Sequence, residues 1–148
     1  MNRRSGFTIV EIAVVISIVA ILTTLIVVVF NQTQLDARDD RRTADITALK
    51  RALVQYYNDN GEYPGCTNPG FGCPISDIAP ALQRYMVDVP LKDPKGTDYL
   101  YSPGTSPNQY GLLLNYEQPG TSCKTGLNMD PAWWWSVQDC KTIFPNRF

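Results

Sequence analysis

At 148 residues the chain has room for one modest domain and an anchor. Thirteen basic against fourteen acidic side chains give a net charge of −1, which excludes a broad basic face for nucleic acid. Histidine is absent, and no nucleophile–base pair or phosphate-cradling glycine loop is present, so the composition points to a non-enzyme with no cofactor.

The chain opens with Arg3 and Arg4, then Ser5-Gly6, then Phe7-Thr8-Ile9-Val10-Glu11. An uncharged stretch from Ile12 to Phe30 follows, rich in Ile and Val and broken by Ser17, Thr23 and Thr24. A basic start before an apolar run reads as a secretory signal or an anchor. The far end of the run has no small-residue cleavage site, so the apolar segment is retained. As a helix, residues 7–30 span roughly 36 Å, enough to cross a bilayer core. The two arginines place the N-terminus on the cytoplasmic side and everything after residue 30 outside. A carboxylate at Glu11 is costly there, about 2.5–3.5 kcal/mol at a bilayer centre and less near an interface.

Basic residues, glycine, phenylalanine and glutamate in this order and spacing resemble the class III leader of type IV pilins and pseudopilins. The resemblance implies cleavage between Gly6 and Phe7 by a prepilin peptidase and N-methylation of Phe7. It also implies that Glu11 pairs with the α-amino group of Phe7 in a neighbouring subunit and so directs assembly. The bland alternative is that Glu11 snorkels at the interface of an ordinary anchor. The expected division is a leader at 1–6, a transmembrane and filament-core helix at 7–30, and an extracytoplasmic domain at 31–148 that includes the outer half of the helix.

From Leu35 to Tyr57 the chain has no Gly or Pro, and Ile46, Leu49, Leu53, Tyr56 and Tyr57 recur at helical spacing. That stripe predicts a continuation of the same helix, about 50 residues in all, with Asp39, Arg42, Asp45, Lys50 and Arg51 on the remaining circumference. Gly61 reads as its C-cap, within Asn58-Asp59-Asn60-Gly61, and Pro64 prevents continuation. Val28 stands where many type IVa pilins carry a helix-breaking proline, and no proline falls between Phe7 and Tyr63. Thr23-Thr24 is the candidate site for local unwinding instead.

Beyond Pro64, Pro, Gly, Tyr and Asn become frequent. Cys66, Cys73, Cys123 and Cys140 all lie past the anchor and include no C-x-x-C pair. An even count in an exported domain predicts two disulfides. Three connectivities exist, and sequence proximity favours Cys66–Cys73 with Cys123–Cys140. A short helix is expected over Ile78–Met86, with Pro80 in its first turn. Strands are expected at Asp98–Ser102 and Gln109–Asn115 around the turn Pro103–Pro107, and a third around Trp133–Val137.

In a strand, Trp133, Trp134 and Trp135 alternate faces, so either Trp134 or the outer pair is partly exposed. The segment then serves packing on the sheet and under the Cys123–Cys140 loop, or contact with a partner subunit, a glycan or a stacked base. Asp93, Asp98, Asp130 and Asp139 are too scattered for a calcium loop, so no metal site is expected.

Ala48-Leu49 through Tyr56, with Asp59-Asn60-Gly61-Glu62-Tyr63-Pro64, is similar to the helix exit of major type II secretion pseudopilins. Val89-Pro90-Leu91-Lys92-Asp93-Pro94 and Tyr99-Leu100-Tyr101 look like their entry into the sheet. The likeness covers residues 1–64 and, more loosely, 86–115. It implies an α+β, ladle-like pilin fold, with a long N-terminal helical spine packed on a small antiparallel sheet. The function implied is a structural subunit of a type IV pilus-like filament. The alternatives are a pseudopilin of a type II secretion or DNA-uptake machine, or a membrane-anchored binding domain that does not polymerise. The implied partners are other pilin subunits in a homopolymer, the prepilin peptidase, an inner-membrane assembly platform and the membrane. The implied location is the cytoplasmic membrane before assembly and a surface or periplasmic filament afterwards.

Overall fold

The computed structural model describes residues 6, 8–68, 72–117, 120–129, 134 and 137–143, with backbone alone at 25–28. Helix α1 (Ile9–Asn60) is continuous over 52 residues. The chain divides into two units, Met1–Asp36 and Ala37–Phe148.

In the first unit, α1 is apolar on every side. Ile9, Val14, Ile16, Ile21 and Val29 are all more than half exposed. A helix apolar all round needs a greasy surrounding rather than one core-facing stripe. It is long and apolar enough to cross a membrane. Its hydroxyls turn inward: Ser17 donates to the Ala13 carbonyl (2.7 Å), Thr23 to Val19 (2.7 Å) and Thr24 to Ile21 (2.7 Å). These bonds satisfy the hydroxyls without breaking the backbone ladder, and α1 passes through Thr23-Thr24 as regular helix.

In the second unit, α1 contributes Ile46, Leu49, Ala52 and Leu53 to the core, all essentially buried. Full burial of each Leu or Ile contributes about 1.5–3 kcal/mol. The helix stops where expected: Gly61 takes φ +78° and donates its N–H to the Tyr57 carbonyl at 2.8 Å. Strand β1 (Cys73–Pro74) leads into a 3-10 turn (Ile75–Asp77) and the short helix α2 (Ala79–Leu82). Helix is thus shorter here than the expected Ile78–Met86. Leu82 anchors it in the core, and the chain leaves helix in the turns that follow.

Strands β2 (Leu100–Pro103), β3 (Tyr110–Asn115), β4 (Ser122–Leu127) and β5 (Gln138–Asp139) complete one five-stranded sheet in chain order. The hairpin anticipated around Pro103–Pro107 is present, with Tyr101 opposite Leu112. Tyr101, Leu112 and Leu114 enter the core. The sheet is mixed rather than antiparallel, because β5 runs parallel to β4, pairing Cys123 with Gln138. Cys123 and Cys140 then bond beside this pair, and Cys66 bonds Cys73 across the loop before β1. Helix α3 (Cys140–Ile143) ends the described chain.

Two sheet features have close steric causes. Gly111 and Gly126 face each other across β3 and β4. A Cβ on Gly126 would collide with the Tyr110 carbonyl oxygen and lie 2.9 Å from Gly111 Cα. Tyr57 stacks on Tyr63 (centroids 4.9 Å apart) and Tyr63 meets Tyr110 at a tilt (4.6 Å), which joins the end of α1 to β3.

Candidate functional site

The residues flagged for assembly lie at the head of α1. Thr8 and Glu11 form a reciprocal capping box. Thr8 donates its N–H (2.9 Å) and its hydroxyl (2.8 Å) to Glu11 Oε2, and the Glu11 N–H donates to Thr8 Oγ1 (3.2 Å). The helix therefore starts at Ile9 because Thr8 and Glu11 satisfy its first donors. The Thr-x-x-Glu spacing was readable in the sequence, yet Glu11 was weighed there for its charge alone. Oε1 takes no part in these three bonds. Gly6 is exposed. Phe7 lies outside the described residues.

In the second unit the main electrostatic feature was not anticipated. Asp39, Arg42 and Asp45 are buried, not on the outer circumference. Arg42 is 1% exposed and holds three carboxylates at once. It donates to Asp93 Oδ2 through Nη2 (2.7 Å) and Nε (3.0 Å), and through Nη1 to Asp39 Oδ1 (2.7 Å) and Glu117 Oε1 (2.9 Å).

Glu117 also accepts from Arg38 (2.7 and 2.8 Å) and pairs with Lys95 (2.8 Å). Its backbone N–H donates to Asp39. Asp93 additionally accepts the N–H groups of Lys95 and Thr97. Asp45 accepts from the Tyr99 hydroxyl at 3.0 Å.

The Arg38 hydrogen bonds, followed by Lys95 and Arg42, hold the Glu117 carboxyl far below the usual carboxylate range despite burial. At Asp93, burial raises the carboxyl, but hydrogen bonds from Arg42, Thr97 and Lys95 outweigh it and the net shift is downward. At Arg42, burial opposes the charge and three carboxylate bonds restore it, so the guanidinium stays protonated. The cluster fastens the 92–98 segment and the β3–β4 connection to one side of α1. Among the described residues, no group of His, Cys, Asp or Glu is arranged to hold a metal ion. Asp98 pairs with Lys92, Asp139 accepts the Lys141 N–H, and Asp130 lies outside the described residues.

Of the tryptophans, only Trp134 falls within the described residues, and it sits in a turn rather than a strand. Its φ is +45°, and its carbonyl accepts the Val137 N–H at 2.7 Å. Its ring rests against Gly72, where a Cβ would approach Trp134 Cζ2 to 2.9 Å. Alternation of faces therefore does not govern Trp134, and the nearest strand, β5, begins at Gln138, just past the expected Trp133–Val137. Trp133 and Trp135 lie outside the described residues.

Residues 1–27 match the family model "Prokaryotic N-terminal methylation motif". The type II secretion system core protein G of Pectobacterium carotovorum is 35% identical over 141 residues, covering 86% of this chain and 87% of that protein. The Vibrio cholerae core protein G is 34% identical over 146 residues, covering 94% and 97%. That of Aeromonas hydrophila is 35% identical over 139 residues, covering 90% and 94%. No solved structure gives a significant match. With this likeness running through anchor and globular unit alike, the chain belongs to the type II secretion core protein G family of pilin-like proteins.

Proposed function

We propose that this chain is a pseudopilin, the repeating subunit of a filament in a type II secretion machine. Among the filament readings open to the sequence, near-full-length likeness to core protein G supports this one over a surface pilus. The family is structural, and the chain acts by polymerising rather than by catalysis.

The mechanism follows from the first unit. Arg3 and Arg4 hold the leader at the cytoplasmic face, and the apolar part of α1 anchors the chain in the membrane. A prepilin peptidase cuts after Gly6 and methylates the new Phe7 amine. The Glu11 carboxylate, already part-occupied by Thr8 through Oε2, offers Oε1 to the Phe7 amine of a neighbouring copy. In low dielectric that pairing sets axial register, and burial of one apolar helix against its copies supplies the drive.

The observation carrying this reading is a lone carboxylate at the head of an unbroken, all-round apolar helix. Glu11→Gln tests it, because glutamine also serves in a capping box while the charge is lost. Membrane insertion should persist and filament yield should fall steeply. Wild-type yield from Glu11→Gln, or a mature chain whose mass does not begin at Phe7, would overturn the reading.

A further inference from the structure

The residues that follow α1 and the tip of the β2–β3 hairpin leave a cleft of about 320 Å³ between them. One wall comes from residues 62–66 and the other from the turn at 103–109. That volume sits at the lower end of the range for small-molecule sites, about 300–1,000 Å³, and suits a single ring.

Both walls are held in place. Cys66 is bonded to Cys73, and the Pro64 carbonyl accepts from the buried Tyr101 hydroxyl at 2.8 Å. Across the turn, the Gly104 N–H donates to the Gln109 carbonyl (2.9 Å) and the Gln109 N–H to the Ser106 carbonyl (3.1 Å). Gly104 and Gln109 approach so closely that a Cβ on Gly104 would strike Gln109. A site shaped before its ligand arrives spends little ordering entropy on binding.

Three polar groups on these walls have no partner among the described residues. The Tyr63 ring is clamped between Tyr57 and Tyr110, and the residue is 6% exposed. Its hydroxyl makes no hydrogen bond, yet no unpartnered side-chain oxygen is sealed from solvent. The hydroxyl therefore opens at the surface that Tyr63 shows, where it lines the cleft. Gln109 accepts the Ser106 N–H (3.2 Å) and the Thr105 hydroxyl (3.4 Å) at Oε1, which leaves its Nε2 donors over. Glu62 is exposed, makes no ion pair and is the one charged side chain among the described residues lining the cleft. Pro103 and Pro107 add apolar faces.

We propose that this cleft binds one neutral pyranose ring. Sugar hydroxyls donate to the Glu62 carboxylate and accept from the Tyr63 hydroxyl and the Gln109 amide, while a C–H face of the ring packs on the prolines. The alternatives fit less well. An anion would meet Glu62 with no cation to offset it, and a divalent cation would find a single carboxylate. An apolar ligand would strip water from three polar groups and replace none of their bonds. The site belongs to the folded unit and does not depend on polymerisation, so its failure would leave the filament reading untouched.

The test uses the full chain solubilised in a polyoxyethylene detergent, because a sugar-headed detergent would compete. Saturation-transfer difference NMR with glucose, N-acetylglucosamine and chitotriose should show transfer to ring protons, with Kd in the millimolar range. Equal Kd for N-acetylglucosamine and chitotriose would assign the site to a free or terminal sugar, and a lower Kd for chitotriose to a glycan chain. Tyr63→Phe keeps the ring and removes the hydroxyl, and Glu62→Ala removes an exposed group. Each should raise Kd about five- to tenfold with an unchanged melting curve. No transfer to any of the three sugars at up to about 50 mM would overturn the proposal. So would both variants binding as the wild type does. Binding of acetyl-trialanine amide in place of the sugars would mark a peptide site and overturn it as well.

Discussion

Arg42 is the side chain whose loss the globular unit should tolerate least. Arg42→Met keeps much of the stem volume and removes the four guanidinium hydrogen bonds. The three carboxylates are then affected unequally. Glu117 retains Arg38 and Lys95, and Asp93 retains two backbone N–H donors. Asp39, 1% exposed at its side chain, loses its arginine bond and keeps the Glu117 N–H.

Removing one partner from a buried ion pair costs about 3–5 kcal/mol, because a buried charge is left uncompensated. For a unit of the length of Ala37–Phe148, that lowers Tm by roughly 12–20 °C. Near-ultraviolet circular dichroism of the detergent-solubilised chain reads this from tyrosine and tryptophan signals while ignoring the anchor. Adding Asp39→Asn should recover part of the loss by removing the stranded charge. A drop below about 4 °C for Arg42→Met, or a further additive loss from Asp39→Asn, would refute the view that Arg42 compensates buried charge.

Acid should weaken the same cluster. Glu117 and Asp93 have depressed folded-state pKa values, so their contribution is present above the unfolded carboxylate range near 4 and is lost as pH falls below it toward those values. Thermal scans between about pH 2 and 7 check this, and Arg42→Met should flatten the dependence. In alkali the sign reverses. Burial pushes the Tyr110 hydroxyl up to about 12 and raises Tyr99 and Tyr101 further. These groups favour the folded state below pH ~10, and their stabilisation is lost as pH rises through the folded values. Absorbance titration at 295 nm should show several tyrosines ionising only with unfolding. Gly126→Ala should cost at least about 1–3 kcal/mol by forcing β3 and β4 apart, as read by denaturant midpoint, whereas Gly65→Ala, with open space at its Cβ and no positive φ, should cost less.

The stripe Ile46, Leu49 and Leu53 was legible because an apolar face repeats at the helical period, and all three are fully buried. Gly61 was legible because the end of a helix demands a positive φ. Strand β4 was not. Ser122-Cys123-Lys124-Thr125-Gly126 offers little apolar alternation, and its burial comes from a disulfide and a glycine pair. The placement of Asp39, Arg42 and Asp45 failed for a different reason. Helical periodicity distinguishes apolar from polar faces, and it assigns charges outward by default. What draws Arg42 inward is Asp93 and Glu117, respectively 51 and 75 residues away, and no local pattern announces them. At the head of α1 the information was local, and Thr8-x-x-Glu11 spelled out the cap.

The inward-turned hydroxyls of Ser17, Thr23 and Thr24 give the first unit an indifference to its surroundings. Each of these polar groups is matched to a carbonyl one turn back on its own helix. None depends on water, on lipid headgroups or on a neighbour. Moving such a helix from hydrocarbon into a bundle of like helices breaks none of these hydrogen bonds and requires no new ones. The transfer is then a trade of one dry packing for another, decided by shape. A Thr24→Val substitution would leave that neutrality intact. An asparagine at the same place would end it, because its amide has donors that its own helix cannot fully satisfy.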